Sequence, residues 1–228
     1  MVRLSALRYA PFTPRSSARA AATALVLALV ALPGCQKTYY TMLEQVGIEK
    51  RELLAKRVTS AKESQEEAQE DFRDALEKFQ AVTGHHGGEL EERYDRLRSA
   101  YERSEEQAHE VRQRIDAVED VADALIDEWK GELDRYEDRS LRRRSAERLR
   151  ETQSEVDRLL RAMRSAERRL DPVLSKLEDR VLYVKHNLNA AALAGLDTEV
   201  PELSRDVDRL VREMQASIDE ADRFIADN

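Results

Sequence analysis

Few residues in this 228-residue chain are placed to do chemistry. Its only cysteine, Cys35, carries the one thiol. The adjacent pair His85-His86 sits in Thr83-Gly84-His85-His86-Gly87-Gly88 and could hold a transition metal weakly. No further Cys/His ligand stands at metal spacing, so the pair reads as solvated. Lys185-His186-Asn187-Leu188-Asn189 is the most unusual polar group, lying inside an otherwise apolar stretch. Lys185, His186, Asn187 and Asn189 could form a buried network that fixes the register between two helices. The alternative is a small ligand-sensing or enzymatic site around Lys185, His186 and Asn189. A third cluster is basic: Arg139, Arg142, Arg143, Arg144 and Arg148. Asp134, Glu137 and Asp138 could neutralise it, or Arg142, Arg143 and Arg144 could touch lipid phosphates. Pairs such as Glu91-Glu92 and Glu105-Glu106 read as solvated faces. No nucleophile–base signature and no glycine-rich phosphate loop occurs. No catalytic residue, metal or cofactor is therefore expected, and the chain is not read as an enzyme.

Cys35 gains meaning from what precedes it. Residues 1–19 contain Arg3, Arg8, Arg15 and Arg19 and no acid, and Ala20 to Leu32 is a charge-free apolar run with Thr23 its one polar member. Its length suits a secretory signal and falls short of a membrane-spanning helix. The ending Leu32-Pro33-Gly34-Cys35 resembles the lipobox of bacterial lipoproteins, with Pro33 where a small residue is more usual. The resemblance implies removal of residues 1–34, a palmitate-type acyl modification at Cys35 and a short tether, residues 35–38. A free thiol in an oxidising compartment invites intermolecular disulfides, and a thioether-linked lipid removes that liability. Gln36, rather than Asp, follows the cysteine. In Gram-negative lipoproteins that implies transfer to the outer membrane, facing the periplasm.

The rest of the chain must position these groups. Losing residues 1–34 removes four arginines and no acid, so the formal charge moves from −8 to −12. Such a body argues against nucleic-acid binding, which needs basic surface. With 37% charged and 5% aromatic residues, the composition suits long helices with narrow apolar seams.

Helix 1 is expected from near Tyr39 to about Val82, with a bend plausible at Gly47. Its seam is Val58, Ala61, Gln65, Ala68, Phe72, Ala75, Phe79, Val82. That alternation of three and four is a coiled-coil heptad. The three glycines after Thr83 end the helix and allow a reversal. Helix 2 carries Leu90, Tyr94, Leu97, Tyr101, Ser104, Ala108, Val111, Ile115, Val118, Ala122, Leu125 and Trp129, extended by Leu133 and Tyr136. Trp129 is read as a core knob.

Between Arg139 and Ser145 the seam lapses, and Ser140 could cap a new helix. Helix 3 carries Leu149, Thr152, Val156, Leu159, Met163, Ala166, Leu170, Val173 and Leu177, and passes Pro172 without a phase jump, which favours a kinked helix over an end. Val181, Val184, Leu188 and Ala191 continue its seam, while Leu182, His186, Asn189 and Leu193 suggest a second apolar stripe facing helix 4. Helix 4 begins after Gly195 with Leu203, Val207, Leu210, Met214, Ser217, Ala221 and Phe224.

Three stretches resemble a known family: Tyr39-Tyr40-Thr41-Met42 with Val46-Gly47-Ile48-Glu49-Lys50-Arg51, Val118 to Leu133, and Leu170 to Leu196 around VLYVKHNLNAAAL. The family is an uncharacterised bacterial lipoprotein family, domain of unknown function 2959. The resemblance implies a Gram-negative source and an all-helical body, and carries over no activity.

The expected fold is all-α, an elongated antiparallel bundle of about four helices with coiled-coil character over residues 39–228. The expected role is a structural or protein-interaction module tethered to a membrane by lipid and meeting other envelope proteins. A chaperone-like adaptor with client-clasping arms is the alternative. The same seams could close within one chain or between two, giving a homo-oligomer.

Overall fold

The seams are buried almost residue for residue in a computed structural model of the chain, which describes residues 50–84, 90–189, 193 and 195–227. Helix α1 is Lys50–Thr83, α2 is Leu90–Glu132, α3 is Arg139–His186 and α4 is Val200–Asp227. Short 3-10 turns occupy Leu133–Arg135 and Gly195–Thr198, and no strand occurs among the described residues. The export signal, Cys35, the tether, the start of helix 1 with Gly47, His85-His86 and Ala191 lie outside the described residues.

Cross-helix pairs fix the direction of each helix. From α1 to α2, Arg103 reaches Asp71 at 3.3 Å and Gln107 reaches Glu67 at 3.0 Å, while Lys50 meets Glu128 at 2.8 Å. As α1 numbers fall, α2 numbers rise, so the two run antiparallel. The same holds for α2 and α3, where Arg164 meets Asp116 at 2.7 Å and Arg112 pairs with Asp171. It holds again for α3 and α4, where Lys176 meets Glu202 at 2.6 Å and Arg158 meets Glu220 at 3.8 Å. Lys62 on α1 meets Asp222 on α4 at 2.6 Å and closes the ring. The result is an up-down-up-down four-helix bundle, the arrangement that short connections favour. Helices of 34 to 48 residues make three of its sides about 50–70 Å long.

The core is the seam. Val58, Ala61, Ala68, Phe72, Ala75, Phe79 and Val82 on α1 are fully buried, as are Leu159, Met163, Ala166, Leu170 and Leu177 on α3. Leu203, Leu210, Met214 and Ala221 of α4 lie against them. Each large apolar side chain removed from water is worth about 1.5–3 kcal/mol, whereas an exposed ion pair contributes about 0–1 kcal/mol. Apolar burial therefore holds the bundle, and the ion pairs select among registers. Pro172 is exposed and α3 runs through it without ending.

Four departures from the expected seams occur. Leu125 and Trp129 are half-buried, while Val121 and Ile126 take the core places. A straight helix drifts against a seven-residue repeat, and near this end α2 is flanked by both α1 and α3. The helix stops at Glu132, so Tyr136, read as a seam residue, is 40% exposed. The second stripe on α3 is not covered: Leu182 and His186 are exposed, and of the stripe only Leu193 is buried. Leu188, read as a seam residue, is also exposed because α3 has already ended at His186.

Gln65 is the polar member of the α1 seam, 0% exposed, and both ends of its amide lack a hydrogen-bond partner. A buried unsatisfied polar group costs about 1–3 kcal/mol, and the heptad position suits leucine. Gln65→Leu is expected to raise unfolding stability by about 1–2 kcal/mol, read from the urea midpoint at unchanged m-value. A lower midpoint would show that the amide is satisfied by an internal water.

Candidate functional site

One end of the bundle gathers the start of α1, the end of α2 and the start of α3. Trp129 ties them together. Its indole N–H donates to Ser145 Oγ at 2.8 Å on α3, and the Arg51 guanidinium of α1 lies 5.4 Å from its ring centroid. Trp129 is thus a half-buried brace across three helices, not the core knob its spacing suggested. An amphipathic ring serves such a place because its apolar body packs while its N–H finds a partner.

Asp138, not Ser140, caps α3: its carboxylate accepts from the backbone N–H of Ser140 at 2.7 Å and of Leu141 at 3.1 Å. Asp134 pairs with Arg142 across the turn. These two acids supply the compensation that arginines at a helix N-terminus require. Arg143 and Arg144 are exposed and, unlike Arg142 and Arg148, form no ion pair among the described residues. Arg148 meets Glu151 at 3.3 Å within its own helix. Between Arg139 and Arg150, six arginines accompany one carboxylate, Glu147. Tyr136 and Leu141, 40% and 46% exposed, stand among them. A groove of about 270 Å³ beside the turn is lined by Glu132, Arg135 and Tyr136. Neither Tyr136 nor Leu141 was singled out for exposure by sequence reasoning. The usable signal was Asp138 as a helix start, which puts Tyr136 outside both helices.

The polar segment after Val184 lies at the C-terminal end of α3. Lys185, His186 and Asn189 are exposed and Asn187 is half-buried, so the buried network expected there does not form. Asn187 instead closes the helix: its backbone N–H donates to Val184 O at 3.1 Å and its side-chain amide to Tyr183 O at 2.9 Å. Asn189 N–H donates to Asn187 O at 2.7 Å. These bonds are what a helix terminus needs for its free carbonyls. Lys185 and His186 also suit the negative end of the helix dipole.

Two of the three stretches that carry the family resemblance map onto distinct structural tasks, and the first lies outside the described residues apart from Lys50 and Arg51. Val118 to Leu133 forms the braced end of α2, and the segment around Lys185 to Asn189 forms the end of α3. The family model covers residues 39–227 and is described as protein of unknown function (DUF2959). The chain belongs to this family. No curated protein and no solved structure matches it. DUF2959 membership accounts for the whole bundle at once, and assigns no activity to any side chain. Among the described residues no helix is long and apolar enough to cross a membrane.

Charge on the flanks is organised by the helix pairing. Arg164 joins Asp116, Glu119 and Glu167; burial works against its charge, but these three carboxylates hold its pKa well above the ordinary value. Burial pushes Glu213 up, yet hydrogen bonds from Ser165 and Arg169 leave it below its ordinary 4.5. The Lys176 hydrogen bond lowers Glu202 likewise. Burial and then the neighbouring Glu119, Asp127 and Asp120 raise Asp123 above its ordinary 3.8. Burial and the charges of Glu105 and Glu178 push Tyr101 up to about 12.

The signs differ and can be measured. Glu202 and Glu213 contribute stability above their unfolded pKa, and it is lost as pH falls through their depressed folded values, below 4.5. Asp123 acts oppositely, since the fold disfavours its ionised form. A carboxyl-carbon NMR titration should place Glu202 and Glu213 below 4.5 and Asp123 above 3.8. Finding Glu213 above 4.5 would mean that its contacts across α3 and α4 are absent in solution.

Proposed function

We propose that the protein is a lipid-anchored helical lipoprotein of the periplasm, held by acylated Cys35 and acting as a structural or protein-interaction stalk rather than an enzyme. The observation that carries the reading is the closure of the seams: the apolar edges of α1 to α4 are used on their own neighbours. A clasping chaperone keeps a greasy cleft between separated arms, whereas a closed bundle keeps its length and offers partners a charged flank. Arg164 and Lys176, each tied to carboxylates on a second helix, stiffen that flank. Such a body suits a spacer that holds one surface at a set distance from another.

The anchor follows from the lipobox-like ending at Cys35 and the apolar run before it. Two or three acyl chains, at about 0.8 kcal/mol per buried CH₂, hold a protein on its membrane far better than one. Gln36 directs the protein to the outer membrane, periplasmic side. Mass spectrometry of the envelope-bound protein should find a mature chain that starts at Cys35 and carries acyl mass on the peptide Cys35–Lys37. Globomycin should accumulate the uncut precursor. A chain with a free Cys35 thiol, or one indifferent to globomycin, would contradict the reading.

A further inference from the structure

The base of the bundle carries an asymmetry that the stalk reading leaves unused. At the opposite end Leu182, Tyr183 and Leu188 are exposed to a similar degree; here, at the α2–α3 turn, Tyr136 is exposed at 40% and Leu141 at 46%. They stand beside the densest basic stretch of an otherwise acidic chain, Arg139 to Arg150. Arg142 is committed to Asp134, Arg135 to Glu132 and Asp138 to the α3 cap, so the charge still available at the turn is that of Arg139, Arg143 and Arg144 set against the exposed Glu137.

We propose that the turn Leu133–Arg144 docks on an anionic bilayer surface, with Tyr136 and Leu141 entering the interface and Arg139, Arg143 and Arg144 meeting lipid phosphates. Four observations point to a bilayer rather than to another protein. The chain enters the bundle at this same end, since Lys50 pairs with Glu128 and Arg51 stacks on Trp129. Fourteen residues separate Cys35 from Lys50, a span that reaches at most about 50 Å when fully extended. An amphipathic ring flanked by arginines matches the composition of membrane–water interfaces. Finally, charges farther from the surface than about 8 Å are screened at physiological salt. The acidic flanks of a bundle tens of ångströms long are thus hidden from the bilayer, and the tip alone is felt.

Geometry at the base favours the same end-on contact. α4 reaches Asp222 opposite Lys62 and ends at Asp227, whereas α1 continues down to Lys50. Among the described residues, the lowest turns are built from α1, α2 and α3. That end, braced by Trp129, presents the turn.

The inference deepens the anchored reading and rests on it for the proximity of the membrane, but the two fail separately. In the acylated protein the native thiol is blocked, so Tyr136→Cys, Leu141→Cys and, at the far end, Glu91→Cys each accept one fluorophore uniquely. The labelled full-length lipoproteins would be reconstituted into vesicles of phosphatidylcholine alone or with phosphatidylglycerol, each containing nitroxide lipids. Labels at 136 and 141 should be quenched in anionic vesicles and the label at 91 should not. Arg139→Glu, Arg143→Glu and Arg144→Glu together should cut that quenching about tenfold or more, given the attraction of each basic residue to an anionic surface. Circular dichroism of the triple variant verifies its fold, and neutral vesicles provide the same comparison without any substitution.

Protein that floats with the vesicles while labels 136 and 141 stay unquenched overturns the docking and leaves the anchor standing. Labels that turn apolar without nitroxide quenching assign the turn to a second copy of the chain, and overturn it too. Protein that does not float at all overturns the anchored reading itself.

Discussion

Everything in this molecule depends on one constraint: a helix with a three-four apolar seam must lay that seam against another. With 37% of residues charged and 5% aromatic, no broad hydrophobic core can form, and the seams are narrow. Phe72, Phe79, Leu97, Ile115, Leu159, Met163 and Leu170 supply the bulk, with Ala61, Ala68, Ala75, Ala108 and Ala166 letting the backbones approach between them. Ion pairs decorate the boundary of each seam and agree with it. Their small individual worth means they discriminate against a slipped register rather than create the bundle.

That constraint explains why so much of the fold was legible. Alternating spacing placed all eight named positions of the α1 seam in the core, and the same rule recovered α4 down to Phe224. The glycine stretch after Thr83 marked the first reversal, and Pro172 was correctly passed over as an end because the seam kept phase across it. A repeat that is both local and long reports directly on burial.

What stayed illegible lies where the repeat stops. The turn after α2 contains no glycine or proline, and a residue in phase, Tyr136, extends the pattern beyond the helix that made it. Trp129 keeps phase as well, but its polar N–H and its place between three helices turned it into a brace. At the opposite end, Lys185 to Asn189 reads as a polar insertion in an apolar run, when the run has in fact ended and Asn187 is finishing the helix. Spacing cannot distinguish a side chain buried in a seam from one that follows the last turn. That distinction belongs to caps, which depend on one or two hydrogen bonds.

A self-contained stalk requires that the seams close inside a single chain. Zero-length carbodiimide crosslinking of protein refolded from an equal mixture of unlabelled and ¹⁵N-labelled chains tests this directly. Lys62 and Asp222, 2.6 Å apart, and Lys50 and Glu128, 2.8 Å apart, should crosslink. If α1 pairs with α2 and α4 of its own chain, both crosslinked peptides carry one isotope throughout. Peptides joining a light half to a heavy half would show that the seams close between chains, and would contradict the self-contained stalk.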